Sequence, residues 1–176
     1  MFFDWTYVVL VLPAVLLAMW ASANVNSTFR RYSTQYSRRG ITGAQAARRV
    51  LDANGLTAVR IEHISGNLTD HYDPRDNSIS LSENVYNSTS IAAVGVAAHE
   101  AGHAVQYAEN YGPVRLRTAI IPATQIGSKF SFILLLVGMV LYSQSLFFVG
   151  ILLFSLTTIF QLITLPVEFN ASHRAL

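Results

Sequence analysis

Hydrophobic and polar positions divide the chain into three stretches of different character. The first, "WTYVVLVLPAVLLAMWASA" from Trp5 to Ala23, carries no charge. At a rise of about 1.5 Å per residue, roughly 20 such residues cross a hydrocarbon core of about 30 Å, so the run predicts a membrane helix. Trp5, Tyr7 and Trp20 lie near its ends, where interfacial aromatics sit. Only Asp4 precedes the run and the arginines follow it, the reverse of a secretory signal's basic leader. An uncleaved anchor over residues 1–24 is expected, with Pro13 as a tolerated kink. The last stretch is longer: Lys129 is the final charge before it and Glu168 the first after it. Phe130 to Val167 exceeds one span and suits two, with a polar break at "SQS", Ser143 to Ser145. A transmembrane hairpin over residues 120–167 is predicted, one arm ending near Tyr142 and the other running from Leu146 to Leu165.

The middle stretch, residues 40–117, has the polar and apolar mixture of a folded domain. Thr42 and Gln45 are spaced as a capping box, and Gly55 stands where a helix C-terminus wants glycine. "LTAVRIEHI", Leu56 to Ile64, alternates as a strand does. "DPRDN" is a turn, and "SISLS", Ser78 to Ser82, is a short strand after it. A helix capped by Ser88 or Ser90 then runs to about Glu109, spanning residues 88–109.

Composition supports the membrane reading. The chain is 52% hydrophobic and only 12% charged, against roughly 25% charged in ordinary globular domains. A net charge of +2 without a basic patch argues against nucleic acid as a partner. With no cysteine, disulfides and Cys-ligated zinc are excluded, so any metal must be held by His and carboxylates. Arg30, Arg31, Arg38 and Arg39 follow the first run. Arg115, Arg117 and Lys129 flank one foot of the hairpin and Arg174 the other, while its tip is uncharged. The positive-inside rule therefore places the middle domain and the C-terminus in the cytoplasm.

Chemistry concentrates in "GVAAHEAGHAV", residues 95–105. His99 and His103 are four apart, so a helix presents both imidazoles on one face, as two zinc ligands require. Glu100 is offset by one position, which suits a general base acting on a water rather than a ligand. Ala97, Ala98, Ala101, Gly102 and Ala104 are small and uncharged, letting the helix pack beneath a dry site. The third ligand must come from elsewhere, and His63, His71, Asp70, Asp73, His173 and Glu168 are the candidates. Two spans return the chain to the motif's side at Val167, and an acid at the end of a membrane helix is costly without a cation. Glu168 is therefore preferred, with His71 and Asp70 as alternatives. Ser172, one turn later, is expected to face the same site.

"LTDHYDPRDNSISLSENVYNSTSIAAVGVAAHEAGHAVQ" together with "LPVEFNASHRAL" resembles the bacterial YugP-type membrane proteins, classed as neutral zinc metallopeptidases. More distantly, the chain is similar to the membrane zinc peptidases of the HtpX and CAAX-processing group. There a Glu-x-x-Ala-Asp motif follows two spans and supplies the third ligand. Carried over, the motif falls on Glu168, Phe169, Asn170, Ala171 and Ser172, with Ser172 in the place of Asp. His173 stands where the YugP-type proteins have Arg. Those proteins continue with a further apolar segment, so a short variant or a piece of a longer chain is expected.

The resulting expectation is an α+β, mostly helical integral membrane protein. A small zincin-like domain follows one N-terminal span, and a transmembrane hairpin separates the HExxH helix from a third-ligand helix beginning at residues 166–176. Zn²⁺ would be held by His99, His103 and Glu168, with Glu100 as base. The protein would cleave peptide or membrane-protein substrates at the cytoplasmic face of the bacterial inner membrane, and Ser78–Ser82 would be the edge strand that pairs with them. For the oxyanion, His71, Tyr72 and His173 are candidate donors. The alternatives are a site-2-type intramembrane protease and a non-enzymatic scaffold or chaperone with a structural metal.

Overall fold

The computed structural model describes residues 5–175. Asp4, Leu176 and the side chain of Tyr7 lie outside the described residues, and with them the first residues of the expected anchor. The chain is mostly helical, with one small sheet. Helix α1, Trp5–Ser33, passes through Pro13 and continues well beyond the apolar run, so that Arg30 and Arg31 fall in its last turn.

Helix α2, Gly43–Ala53, starts at the capping box: Thr42 accepts from the Gln45 N–H, and the Gln45 side chain accepts in return from the Thr42 N–H. It ends just before Gly55, whose φ of +72° is costly for any residue with a Cβ. Only Arg60–Ile64 of the alternating segment forms strand β1. Arg48 explains the shortfall. Its guanidinium donates to the Leu56 and Val59 carbonyls at 2.7 Å each, holding that piece as a turn against α2.

Strands β2, His71–Asp73, and β3, Ser78–Ser82, complete a sheet of order β1-β3-β2. Strand β3 is parallel to β1 and antiparallel to β2, and all five of its residues are buried. The edge-strand expectation for Ser78–Ser82 is thus corrected, because β3 is central and both its edges are occupied. The turn at Pro74–Asn77 folds β2 back onto one side of it. Strand β2 is the edge that lies nearest the histidine helix.

The short α3, Glu83–Tyr86, leads into α4, Ile91–Ala108, capped by Ser90, whose Oγ accepts from the Ala93 N–H. Ala93, Ala97, Ala101 and Ala104 recur at helical spacing and pack against Leu51, Ile79, Leu81 and Val85. Each of the larger side chains contributes about 1.5–3 kcal/mol by burial. Their packing fixes the rotation of α4 and turns His99, Glu100 and His103 away from the core stripe.

Helices α5, Gly112–Val140, and α6, Gln144–Arg174, form an antiparallel hairpin, and both are long and apolar enough to cross a membrane. They turn at Leu141–Ser143, with Tyr142 at φ +50°. Glycines let them approach closely: a Cβ at Gly127 would meet the Leu153 carbonyl, and one at Gly138 the Phe147 backbone. Their outward side chains, including Phe132, Leu152 and Phe154, are exposed. Helix α6 runs without interruption through Pro166 to Arg174. It meets α4 where Gly102 lies directly against the Ala171 carbonyl.

Candidate metal centre

That crossing of α4 and α6 assembles the site. A side chain larger than hydrogen at position 102 would collide with the α6 backbone. With glycine there, Glu168 reaches both histidines: its Oε2 lies 3.2 Å from His99 Nε2 and 3.5 Å from His103 Nε2. One donor atom from each of the three residues falls within 4.8 Å of the others. Among the described residues this is the one such group of His, Cys, Asp or Glu.

The far nitrogens of both imidazoles are also occupied. His99 Nδ1 is 3.1 Å from Ser172 Oγ, and His103 Nδ1 is 3.0 Å from Gln106 Oε1. For His103 the tautomer follows from the network. The Gln106 Nε2 donates to the Val167 carbonyl and to Asn170 Oδ1, and Asn170 Oδ1 also accepts from Arg174 Nε. The Gln106 oxygen therefore faces His103 and accepts from Nδ1–H, so Nε2, on the side of Glu168, carries the lone pair when the ring is neutral. Arg174 is held in turn by Glu109 at 2.6 Å. Gln106 is fully buried, so it is bound on every side. Two imidazole nitrogens and a carboxylate oxygen, each imidazole oriented by an oxygen behind it, form a donor set that fits zinc.

Glu100 stands beside this trio, in the wall of the same cavity of about 680 Å³. Its Oε2 accepts from the Tyr72 backbone N–H of β2 at 3.1 Å, which leaves Oε1 free. Burial raises its carboxyl above the ordinary value, and the two neighbouring imidazoles oppose the rise. The cavity is lined by β2 and by α5, where Arg117, Thr118 and Ile121 face it.

The alternative ligands are engaged elsewhere or lie outside the group. Asp70 accepts from the Ser82 N–H at 2.7 Å and from its hydroxyl, tying β3 to the preceding loop. His71 lines the cavity, but its Nδ1 is 2.8 Å from the Thr69 carbonyl. Asp73 pairs with Arg75, His63 packs its ring against Tyr86, and His173 is exposed. The Tyr72 hydroxyl is 3.2 Å from Asn77 Oδ1, so Tyr72 reaches the site through its backbone. Sequence reasoning missed Gln106, whose signal was a lone polar residue three positions after His103 on a buried helix face. It also read Arg117 as a topology-setting charge only.

Comparison with known proteins identifies the family. Residues 7–176 match the family model described as "Putative neutral zinc metallopeptidase". The chain belongs to that family. Over 169 residues, 96% of this chain and 75% of the relative, it is 49% identical to a protein of Bacillus subtilis (strain 168) named "Putative membrane protease YugP". No solved structure matches. Membership of this zinc metallopeptidase family implies zinc as the metal, and the His-His-Glu group offers a place to hold it.

Proposed function

We propose that the chain is an integral-membrane zinc endopeptidase that hydrolyses peptide bonds at the cytoplasmic membrane surface. One observation carries this reading: His99, His103 and Glu168 converge on one point, and Glu100 faces the same cavity with one oxygen fixed by the Tyr72 N–H. Zinc held by the trio supplies Lewis-acid polarisation of a water and of the substrate carbonyl. Glu100 Oε1 takes a proton as the water oxygen bonds to the carbonyl carbon and the C=O pair moves onto oxygen. That pair then re-forms the carbonyl, the C–N bond breaks, and Glu100 delivers its proton to the leaving nitrogen. A carboxyl raised by burial suits both halves of this exchange.

Three donors rather than four converge among the described residues, which leaves a position for water and favours catalysis over a structural metal. Helix α4 packs within the sheet-bearing core rather than among the apolar spans, which favours surface cleavage over cleavage inside the bilayer. Glu168 directly follows the apolar run, so substrates are peptides or membrane proteins presented close to the lipid. The orientation rests on Arg30, Arg31, Arg38, Arg39, Lys129 and Arg174, with α1 as a further span. A membrane-impermeant thiol reagent applied from outside should label a cysteine at Gln144 and spare one at Asn110; the reverse pattern would overturn the orientation.

The enzymatic test is Glu100→Gln. It should keep one zinc per chain and lose about 10²–10⁴-fold in turnover of casein, the scale of a general base. His99→Ala should lose both zinc and turnover. Near-normal turnover in Glu100→Gln would exclude Glu100 as the base.

A further inference from the structure

The peptidase reading names no side chain that stabilises negative charge on the carbonyl oxygen. We propose that Arg117 donates to that oxygen during hydrolysis, an inference that rests on the reading above. Arg117 lies near the start of α5 and lines the same cavity as Glu100 and the three candidate ligands. Its Nε is buried and has no hydrogen-bond partner, alone among the side-chain polar atoms of this kind in the described residues. Its NH1 is 3.8 Å from Glu168 Oε1, beyond hydrogen-bond length.

A guanidinium has five donors and stays charged, and a buried donor left unpaired is costly. Arg117 is therefore held at the site without having its donors satisfied there. Glu168 needs no further anchor, because its other oxygen already meets His99 and His103. The nearby Arg115 makes the contrast: it is exposed and lines a different hollow, beside Tyr107 and Asn110. Only Arg117 of this pair points its charge towards the reacting groups.

The step gives the charge a use. When the water oxygen bonds to carbon and Glu100 takes the proton, the former C=O pair becomes a full lone pair on oxygen. A donor already in place binds that oxygen more strongly than it binds the neutral carbonyl, so it lowers the barrier more than it improves substrate binding. The effect should fall on kcat. Glu100 on α4 and Arg117 on α5 both line this cavity, so one bound peptide bond can meet the proton acceptor and the anion donor.

The test uses the full chain, zinc-loaded in detergent micelles, with casein as substrate and a peptide phosphonamidate as a tetrahedral, anionic probe. Arg117→Ala should keep one zinc per chain and a KM within about threefold, while kcat falls about 10²–10³-fold. Phosphonamidate affinity should fall by a similar factor. Arg117→Lys should be intermediate, and added guanidinium at millimolar concentration should restore part of the alanine variant's turnover. Loss of zinc in Arg117→Ala would make Arg117 a support for Glu168 and overturn the proposal. A raised KM with unchanged kcat, or unchanged phosphonamidate affinity, would overturn it too. Failure of the underlying reading looks different: wild type would then cleave casein no faster than Glu100→Gln.

Discussion

The two halves of the molecule use apolar residues in opposite ways. Around α4, Leu51, Ile79, Leu81 and Val85 are wholly buried against alanines, and the protein supplies its own interior. Along α5 and α6, residues just as apolar face outwards: Leu152 is 53% exposed and Phe132 65%. The first region needs nothing else to hide its surface. The second is built of helices long and apolar enough to cross a membrane, and small residues such as Gly127, Gly138 and Gly150 mark where one helix meets the other. The candidate metal centre lies where these regions join, with two candidate ligands from the self-packed part and one from the hairpin.

The sharpest way to break this contrast is at the join. Gly102→Leu should force α6 off α4 and carry Glu168 away from the histidines. Overpacking of about 1–3 kcal/mol is roughly 5–150-fold in an equilibrium, so zinc content and turnover should both collapse. Gly95→Ala, on the same helix with nothing within 4 Å of the added methyl, should leave zinc content unchanged. Equal metal content in the two variants would show that the crossing does not set the site.

Next comes the packing itself. Leu51→Ala should destabilise the protein by about 2–5 kcal/mol in detergent melts, as core truncations do. Leu152→Ala should stay within about 0.5 kcal/mol, since its side chain meets solvent or lipid. Similar losses at the two positions would erase the distinction between the halves.

Smaller still is the effect of Gln106→Leu, which removes the acceptor behind His103. Zinc affinity should fall about 10–100-fold, with the fold retained. The pH response follows from the same contacts. Burial alone would lower the His103 imidazole, but hydrogen bonds with Glu168 and Gln106 outweigh it and leave it above its ordinary 6.5. In the metal-free protein the protonated ring therefore adds stability that is complete below pH 6.5 and fades as pH rises through the raised value. Zinc must displace that proton, so its affinity should rise over the same interval. Zinc titrations at several pH values check the trend, and in Gln106→Leu the rise should move to lower pH.

Local patterns were readable wherever their cause was local. The charge-free runs, the Thr42 capping box, the turn after Asp73 and the paired histidines all follow from spacing along the chain. Glu168 was accessible because counting spans is an argument about sides, which the sequence carries. Strand order was not, since β1 and β3 pair across an intervening loop and β2 is only three residues long. The Gln106–Asn170–Arg174 network was hidden for a related reason. Gln106 lies more than sixty positions from Asn170 and Arg174, and its partners are set by the α4–α6 crossing. The place of Arg117 in the cavity was hidden because a cation beside an apolar run reads as a flanking charge, and only the fold shows its burial.

The continuity of α6 bears on how the protein is made. His99 and His103 are synthesised long before Glu168, and all of α5 and nearly all of α6 lie between them. A growing chain therefore presents two imidazoles with no third partner until the hairpin has been laid down and folded back. The last turns of α6 then deliver the carboxylate, Ser172 and Asn170 together, as parts of one rigid rod. Assembly order thus acts as a safeguard, because the trio cannot be complete before the hairpin has been made.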